Sequence, residues 1–292
     1  MSPTFRAHLA LFLANLIYGI NYTIAKDVMG VHIEPFGFIL LRVSVTVLLI
    51  WGTAQLIKKE KIERGDFKLL LLCGLTGVGI NQLLFFWGLS LTSPINSSII
   101  MVTTPLLVLI IASVLVGNSF TTTKTLGVLI GLTGAIALLL VKPSDKNISG
   151  DLFGDLLTFI NAMSYGVYLV LVKPLLQKYH PITVMKWVFL FGLIPVLPAG
   201  FSQLAAVQWT AFSPAIWASV GFVVIGTTYL AYLLNTYGLI SLSPSVVSAY
   251  IYLQPALAAI FAILMGKDQM DWIKLSSTAM IFLGVYLVNR KP

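Results

Sequence analysis

The chain has 292 residues, of which 58% are hydrophobic and only 10% charged, with a mean hydropathy of +0.95. Soluble domains carry about 25% charged residues, so the composition excludes a soluble globular protein and describes a polytopic membrane protein. The formal charge of +8 would point to nucleic acid in a soluble chain, but here the lysines and arginines stand at the ends of apolar segments, where they anchor helices, and no nucleic-acid partner is expected.

A membrane helix needs about 20 apolar residues. Ten spans are read in chain order: 7–26, 35–57, 68–89, 94–116, 124–141, 152–173, 182–203, 214–236, 244–265 and 272–289. The first follows Arg6 in the manner of a secretory leader, but it contains Asn15, Tyr18 and Asn21 and lacks a small-residue cleavage site, so it is expected to stay in the protein. The longest polar stretch runs from Lys58 to Lys68. No segment is long and polar enough for a catalytic head. A single cysteine, Cys73, excludes an intramolecular disulfide and a cysteine metal cluster.

The second half repeats the first. Gly88-Leu89, Ser93-Pro94 and Pro105 return as Gly238-Leu239, Ser243-Pro244 and Pro255, all at a shift of 150 residues, which Lys124/Lys274 and Gly134/Gly284 keep. Tyr18-Gly19 and Lys26 return as Tyr165-Gly166 and Lys173 at a shift of 147, and Pro35 as Pro181 at 146. Two homologous hydrophobic halves are the usual build of a secondary transporter. The expected units are residues 1–142 and 143–292, five helices each. Five is odd, so the second unit enters the membrane upside down, which creates a pseudo-two-fold axis in the membrane plane. The expected fold is therefore an all-α membrane protein: ten transmembrane helices as two inverted five-helix repeats around a central cavity.

Lys/Arg counts set the orientation. With the N-terminus in the cytoplasm, twelve basic residues fall inside, including Lys58, Lys59, Lys61, Arg64 and Lys68 of one loop, and five fall outside: Lys26, Lys142, Lys146, Lys267 and Lys274. Seven of the ten acidic residues lie outside. Both termini are thus expected in the cytoplasm, in a multi-pass protein of the inner (plasma) membrane.

Polar groups in hydrocarbon are costly and should face a cavity or another helix. In span 1, Asn15, Tyr18, Asn21 and Tyr22 share an arc of about 120° at 100° per residue; in span 6, Asn161, Ser164, Tyr165 and Tyr168 share one of about 100°. Span 3 offers Asn81, Gln82 and Phe85, and span 8 offers Thr228, Tyr229, Tyr232 and Asn235. Spans 4 and 9 add Asn96, Thr103, Thr104, Tyr250, Tyr252 and Gln254. These groups either line a substrate cavity or bond neighbouring helices; the matched arcs of spans 1 and 6 favour the cavity. The candidate substrate-binding set is Asn15, Tyr18, Asn21, Tyr22, Asn81, Phe85, Thr103, Asn161, Tyr165, Tyr168, Tyr229, Tyr232, Tyr250 and Gln254. Pro105 and Pro255, mid-span, should bend their helices and are candidate hinges.

Small residues recur as Gly127, Gly131 and Gly134 in span 5 and as Gly74, Gly77 and Gly79 in span 3, a pattern for close helix contact. Arg42 is the one ionisable residue deep in a span and needs a partner, either an anionic substrate or helix-end carbonyls. Lys26 and Lys173 stand near helix ends, where they can snorkel. No Asp or Glu lies deep in a span, and His8, His32 and His180 sit at span edges. Without a nucleophile–base pair or a metal-ligand motif, neither an enzyme nor a cofactor is expected. The sequon Asn147-Ile148-Ser149 falls in an outer loop.

These residues resemble the EamA family of the drug/metabolite transporter superfamily over essentially the whole chain. The resemblance rests on Tyr18-Gly19 through Lys26, Pro35 through Arg42, Gly88-Leu89 with Pro94 and Pro105, and their partners Tyr165-Gly166, Lys173, Gly238, Pro244 and Pro255. Members often carry Trp before the first Gly, where this chain has Tyr twice, and Val188 replaces Arg42 in the second repeat. The resemblance implies a ten-helix carrier, often an exporter of amino acids or other small metabolites, with a central site built from spans 1, 3, 4, 6, 8 and 9. The partners expected are a small-molecule substrate and the lipid bilayer, with the protein a monomer or homodimer. Alternatives are a non-transporting membrane sensor or assembly module of the same fold, or a sugar-phosphate or nucleotide-sugar carrier. The last needs several cationic groups at depth, and only Arg42 is there.

Overall fold

The computed structural model describes residues 2–24, 28, 31–91, 97, 100–117, 121–140, 152–264 and 272–289. Among them the chain is all helical, with no strands. The helices are α1 (Pro3–Ile24), α2 (Pro35–Leu56), α3 (Asp66–Leu91), α4 (Thr104–Val116), α5 (Thr122–Leu140), α6 (Leu152–Lys178), α7 (Pro181–Ala205), α8 (Pro214–Ser241), α9 (Pro244–Ala249, on through Tyr250–Tyr252 to Leu253–Leu264) and α10 (Trp272–Asn289). By length and composition α2, α3, α6, α7 and α8 can each cross a membrane, while α4 and parts of α5 and α10 are shorter apolar helices. The outer surface carries Leu48, Val114, Phe201, Trp272 and Tyr286 exposed. In water that surface would be a liability; in a multi-pass membrane protein lipid covers it.

Helix starts follow local chemistry. Proline opens α2, α7 and α8 at a position whose N–H has no helical partner. Ser213 and Ser243 accept the backbone N–H of Ile216 and Val246 at 3.3 and 3.4 Å, capping α8 and α9. At the other end of α4, Gly117 (φ 71°) takes the left-handed conformation that lets its N–H reach Ser113 O at 3.0 Å. Two helices outrun their expected ends by five residues: α6 continues through Pro174 to Lys178, and α8 continues to Ser241.

The helices pair across the two halves: α1 with α8, α3 with α6, α1 with α9, α4 with α6, α2 with α7, and α5 with α10. Several contacts recur at repeat-equivalent positions. Gly238 lies against Leu11, where a Cβ would meet the leucine at 2.5 Å; Gly88 lies against Thr158, where a Cβ would meet Oγ1 at 2.7 Å. These are the same contact shifted by 150 and 147 residues. Gly284 approaches Gly127 O at 2.6 Å by the same measure, and Gly134 approaches Ser277 O at 2.8 Å. A third pair is Asn21 with Thr227 and its counterpart Tyr168 with Gly77. Glycine at these crossings lets backbones approach closely enough for dense dispersion contact, which drives helix association in lipid.

Two irregularities also recur in pairs. A π-helical stretch occupies Leu75–Gly79 in α3 and Phe222–Leu230 in α8, at corresponding positions of the repeats. Before Pro105 the Thr103 and Thr104 hydroxyls return to Ile100 O and Met101 O, both at 2.6 Å, and before Pro255 the chain tightens to a 3-10 turn at Tyr250–Tyr252. Each proline removes a donor and crowds the preceding turn, which accounts for both breaks. By contrast α7 runs unbroken through Pro195 and Pro198.

Candidate functional site

A buried polar cluster is built around Arg42. It projects from α2, is 8% exposed, and its Nε donates to Thr228 Oγ1 at 2.9 Å. Its guanidinium lies 5.9 Å from the Phe38 ring and 5.8 Å from the Phe86 ring, a cation–π sandwich that offsets part of the cost of burying charge. Thr228 belongs to the π-helical stretch of α8 and passes its own proton to Val223 O at 2.9 Å. The π register sets Thr228 over the carbonyl five residues back, so its hydroxyl donates there while its oxygen accepts from Arg42. Among the described residues no carboxylate pairs with Arg42, and Nε carries its one hydrogen bond.

Tyr18 and Tyr232 lie within electrostatic reach of Arg42, and Tyr165 within reach of both. Asn235 Nδ2 donates to the Tyr18 hydroxyl at 3.4 Å, and Gln82 Nε2 to that of Tyr232 at 3.4 Å. Tyr232 in turn donates to Gly77 O at 3.3 Å, and Ser164 donates to Thr76 O at 2.8 Å. Both carbonyls belong to the π-helical stretch of α3, so the two irregular segments face the same polar centre. Phe189 closes one wall, 5.1 Å from the Tyr232 ring, and Tyr165 packs 5.8 Å from Tyr168. Tyr18, Tyr165 and Tyr232 are half-buried, each keeping part of its surface accessible.

The remaining predicted residues divide by position. Asn15 accepts from Gln254 at 2.9 Å, Asn21 accepts from Thr227 at 3.0 Å, and Asn81 and Asn161 exchange bonds with each other's backbone carbonyls at 3.2 and 2.6 Å. These amides tie α1 to α9 and α8, and α3 to α6. The Oε1 of Gln82 and the Oδ1 of Asn161 are buried without a partner among the described residues, so this seam has acceptors to spare. Phe85 stands edge-on to Phe86 at 5.2 Å, Tyr168 donates to Met185 Sδ at 3.6 Å, and Tyr229 packs on the apolar core. Thr103 is spent on its own turn. Tyr250 lies away from the others, 2.8 Å from His8 Nδ1, about 15 Å of helix from Tyr18 at 1.5 Å per residue. Lys173 does more than snorkel: its Nζ donates to Leu239 O, Ile240 O and Leu242 O, closing the end of α8. The side chains of Tyr22 and Lys274 lie outside the described residues, as do Lys26, Ser93-Pro94, Asn96, Lys142, Lys146, Asn147-Ile148-Ser149 and Lys267.

Sequence reasoning missed Thr227, Phe38, Phe86 and Phe189 as parts of this centre. The Gly226-Thr227-Thr228-Tyr229 run was a signal for the first; the phenylalanines carry none, because aromatic residues are common throughout the spans.

A family model described as the EamA-like transporter family matches residues 5–140 and again 152–290. An Archaeoglobus fulgidus protein named an uncharacterized transporter is 26% identical over 98% of both chains. YyaM of Bacillus subtilis, also named an uncharacterized transporter, is 23% identical over 93% of this chain and 89% of its own. A Streptantibioticus cattleyicolor protein named a probable terminal-alkyne amino-acid exporter is 26% identical over 87% of this chain and 84% of its own. A solved crystal structure shares the fold at a TM-score of 0.79 and 17% identity, covering 97% of this chain and 96% of that one. These relatives are named as transporters and not as enzymes. With both of its halves matched by one model, the chain belongs to the EamA-like transporter family.

Proposed function

We propose that this protein is a secondary transporter that exports small carboxylate-bearing metabolites such as amino acids, by alternating access between two inverted five-helix halves. The observation that carries the substrate class is Arg42, a buried guanidinium with one hydrogen bond and no carboxylate partner among the described residues. A charge held in that state is costly unless something completes its pairing. A solute carboxylate does so in the fork geometry that arginine favours, while the Tyr18, Tyr165 and Tyr232 hydroxyls and the Phe38 and Phe86 rings receive the rest of the molecule. One cation suits a monoanionic or zwitterionic solute better than a phosphate. The name of the Streptantibioticus relative agrees with this class.

The repeat-equivalent contacts, the paired π-helical stretches and the paired proline breaks support the inverted-repeat reading, with units 1–142 and 143–292. Two closures are also repeat-equivalent, and they differ in chemistry. At one, Lys178 pairs with Glu63 and Asp66, both at 3.0 Å, Tyr179 donates to Asp66 at 2.7 Å, and the His180 N–H donates to Glu60 at 2.9 Å. At the other, His32 meets Phe212 at 5.6 Å within an aromatic patch that includes Trp209 and Trp217. The basic-residue bias places the ionic closure and both termini in the cytoplasm, and the aromatic one outside. Rocking of the halves would open one closure while keeping the other shut. Pro105 and Pro255 mark the hinges, and the site is the set named around Arg42. Flux is uncoupled or an exchange, since no deep carboxylate is available to carry a proton.

Purified protein in liposomes, loaded with a panel of labelled amino acids, tests the reading. Protein-dependent efflux of at least one carboxylated solute is expected. A broad panel with no flux above empty vesicles refutes it.

A further inference from the structure

Away from the Arg42 site, the end of α2 and the start of α7 border a half-open cavity of about 170 Å³ lined by Ala54, Gln55, Ile57, Lys58, Lys59, Glu60, Thr183 and Lys186. Three lysines face one carboxylate there, and that carboxylate is committed to the His180 N–H at 2.9 Å. Thr183 lies in the first turn of α7, a 25-residue helix whose N-terminal end carries partial positive charge. Lys186 is set in place: its Nζ lies 4.3 Å from the Trp51 ring centre and 5.4 Å from that of Trp187. Tryptophans beside lysines at helix ends mark the depth of lipid headgroups. Next to the cavity Leu56 is 85% exposed, and Leu48, about two turns back along α2, is 72% exposed, an apolar track leading from the cations toward the bilayer core.

We propose that this cavity is a binding site for a phosphate monoanion, the headgroup phosphate of an anionic phospholipid, held by Lys58, Lys59 and Lys186. The loop lysines orient the protein by their number, but orientation needs no cavity, no helix N-terminus and no fixed Lys186. The apolar track distinguishes a lipid from free phosphate, because a soluble anion has no use for it. Since α2 and α7 belong to opposite halves, a bound headgroup bridges them. Basic pockets between transmembrane helices at the cytoplasmic surface are suited to such headgroups.

Native mass spectrometry of the purified protein in neutral detergent, titrated with phosphatidylglycerol and phosphatidylcholine, tests this. A net of two cationic charges predicts an about 30-fold preference for phosphatidylglycerol at low ionic strength. The preference falls toward unity both in Lys58→Gln/Lys59→Gln/Lys186→Gln and in Lys58→Gln/Lys59→Gln, which leaves Lys186 balanced by Glu60 and the Trp51–Lys186 contact intact. Lys61→Gln/Arg64→Gln removes equal charge from the same loop outside the cavity and keeps the preference. Competition by inorganic phosphate at millimolar levels would identify a soluble phosphate site, and its failure a lipid site; both retain the phosphate chemistry. No preference in the native protein, or one that survives both lysine variants, overturns the proposal.

Discussion

Replacing Arg42 with glutamine separates its part in folding from its part in transport. The arginine contributes two cation–π contacts of about 1 kcal/mol each and a hydrogen bond to Thr228 of about 1.5 kcal/mol. Against these stands the cost of a central arginine, about 2.5–3.5 kcal/mol on insertion scales. The two sides nearly cancel, so Arg42→Gln should fold with a melting temperature close to that of the native protein. A charged hydrogen bond to a substrate carboxylate is worth about 1.5–3 kcal/mol, so its loss should raise the apparent KM for a carboxylated solute about 10- to 150-fold. The assay is counterflow in liposomes, comparing an amino acid with its carboxamide, alongside a thermal melt. The carboxamide should lose far less than the acid. An unchanged KM for the acid, in a variant that melts normally, would refute the assignment of Arg42.

Other outcomes follow from the packing and the closures. At Gly284 a Cβ would meet Gly127 O and Gly131 N, both at 2.6 Å; Gly284→Val therefore overpacks the α5–α10 crossing by about 1–3 kcal/mol or more and lowers the melting temperature, whereas Gly52→Ala, with nothing within 4 Å, does not. Lys173→Met removes the donors that close α8 at Leu239, Ile240 and Leu242 and should cost about 2 kcal/mol, read as a lower melting temperature; Lys173→Arg should recover most of it. Lys178→Gln breaks an exposed pair of ion contacts, so stability should barely move, while labelling of central cysteines from the face that Lys178 occupies should speed up. Unchanged labelling would remove the ionic closure from the mechanism.

The sequence disclosed most of the scaffold because its punctuation is structural. Gly88 and Gly238 stand where helices touch, Gly134 and Gly284 where α5 crosses α10, and Pro105 and Pro255 where α4 and α9 break. Such positions tolerate few residue types, so their matched spacing survives as a readable repeat. The π-helical stretches were invisible: Leu75–Gly79 and Phe222–Leu230 contain no proline, and a shift of hydrogen-bond register leaves no compositional mark. The polar arcs were legible as arcs but not as roles. Asn15, Asn21, Asn81 and Asn161 spend their amides on neighbouring helices, and which helix a side chain meets depends on packing between distant segments. Arg42 stood out in the sequence through its isolation. Its setting between Phe38 and Phe86 could not be read, since Phe86 comes from another helix.

Two-sided cysteine labelling tests alternating access at the central site most directly. In a Cys73→Ser background, single cysteines at Tyr18 and Tyr165, the repeat-equivalent pair, are exposed in oriented liposomes to a membrane-impermeant thiol reagent from one face at a time. Both positions should react from either face, and a transported carboxylated solute should protect them. Positions that stay inert from both faces, or that react from one face only under every condition, would contradict it.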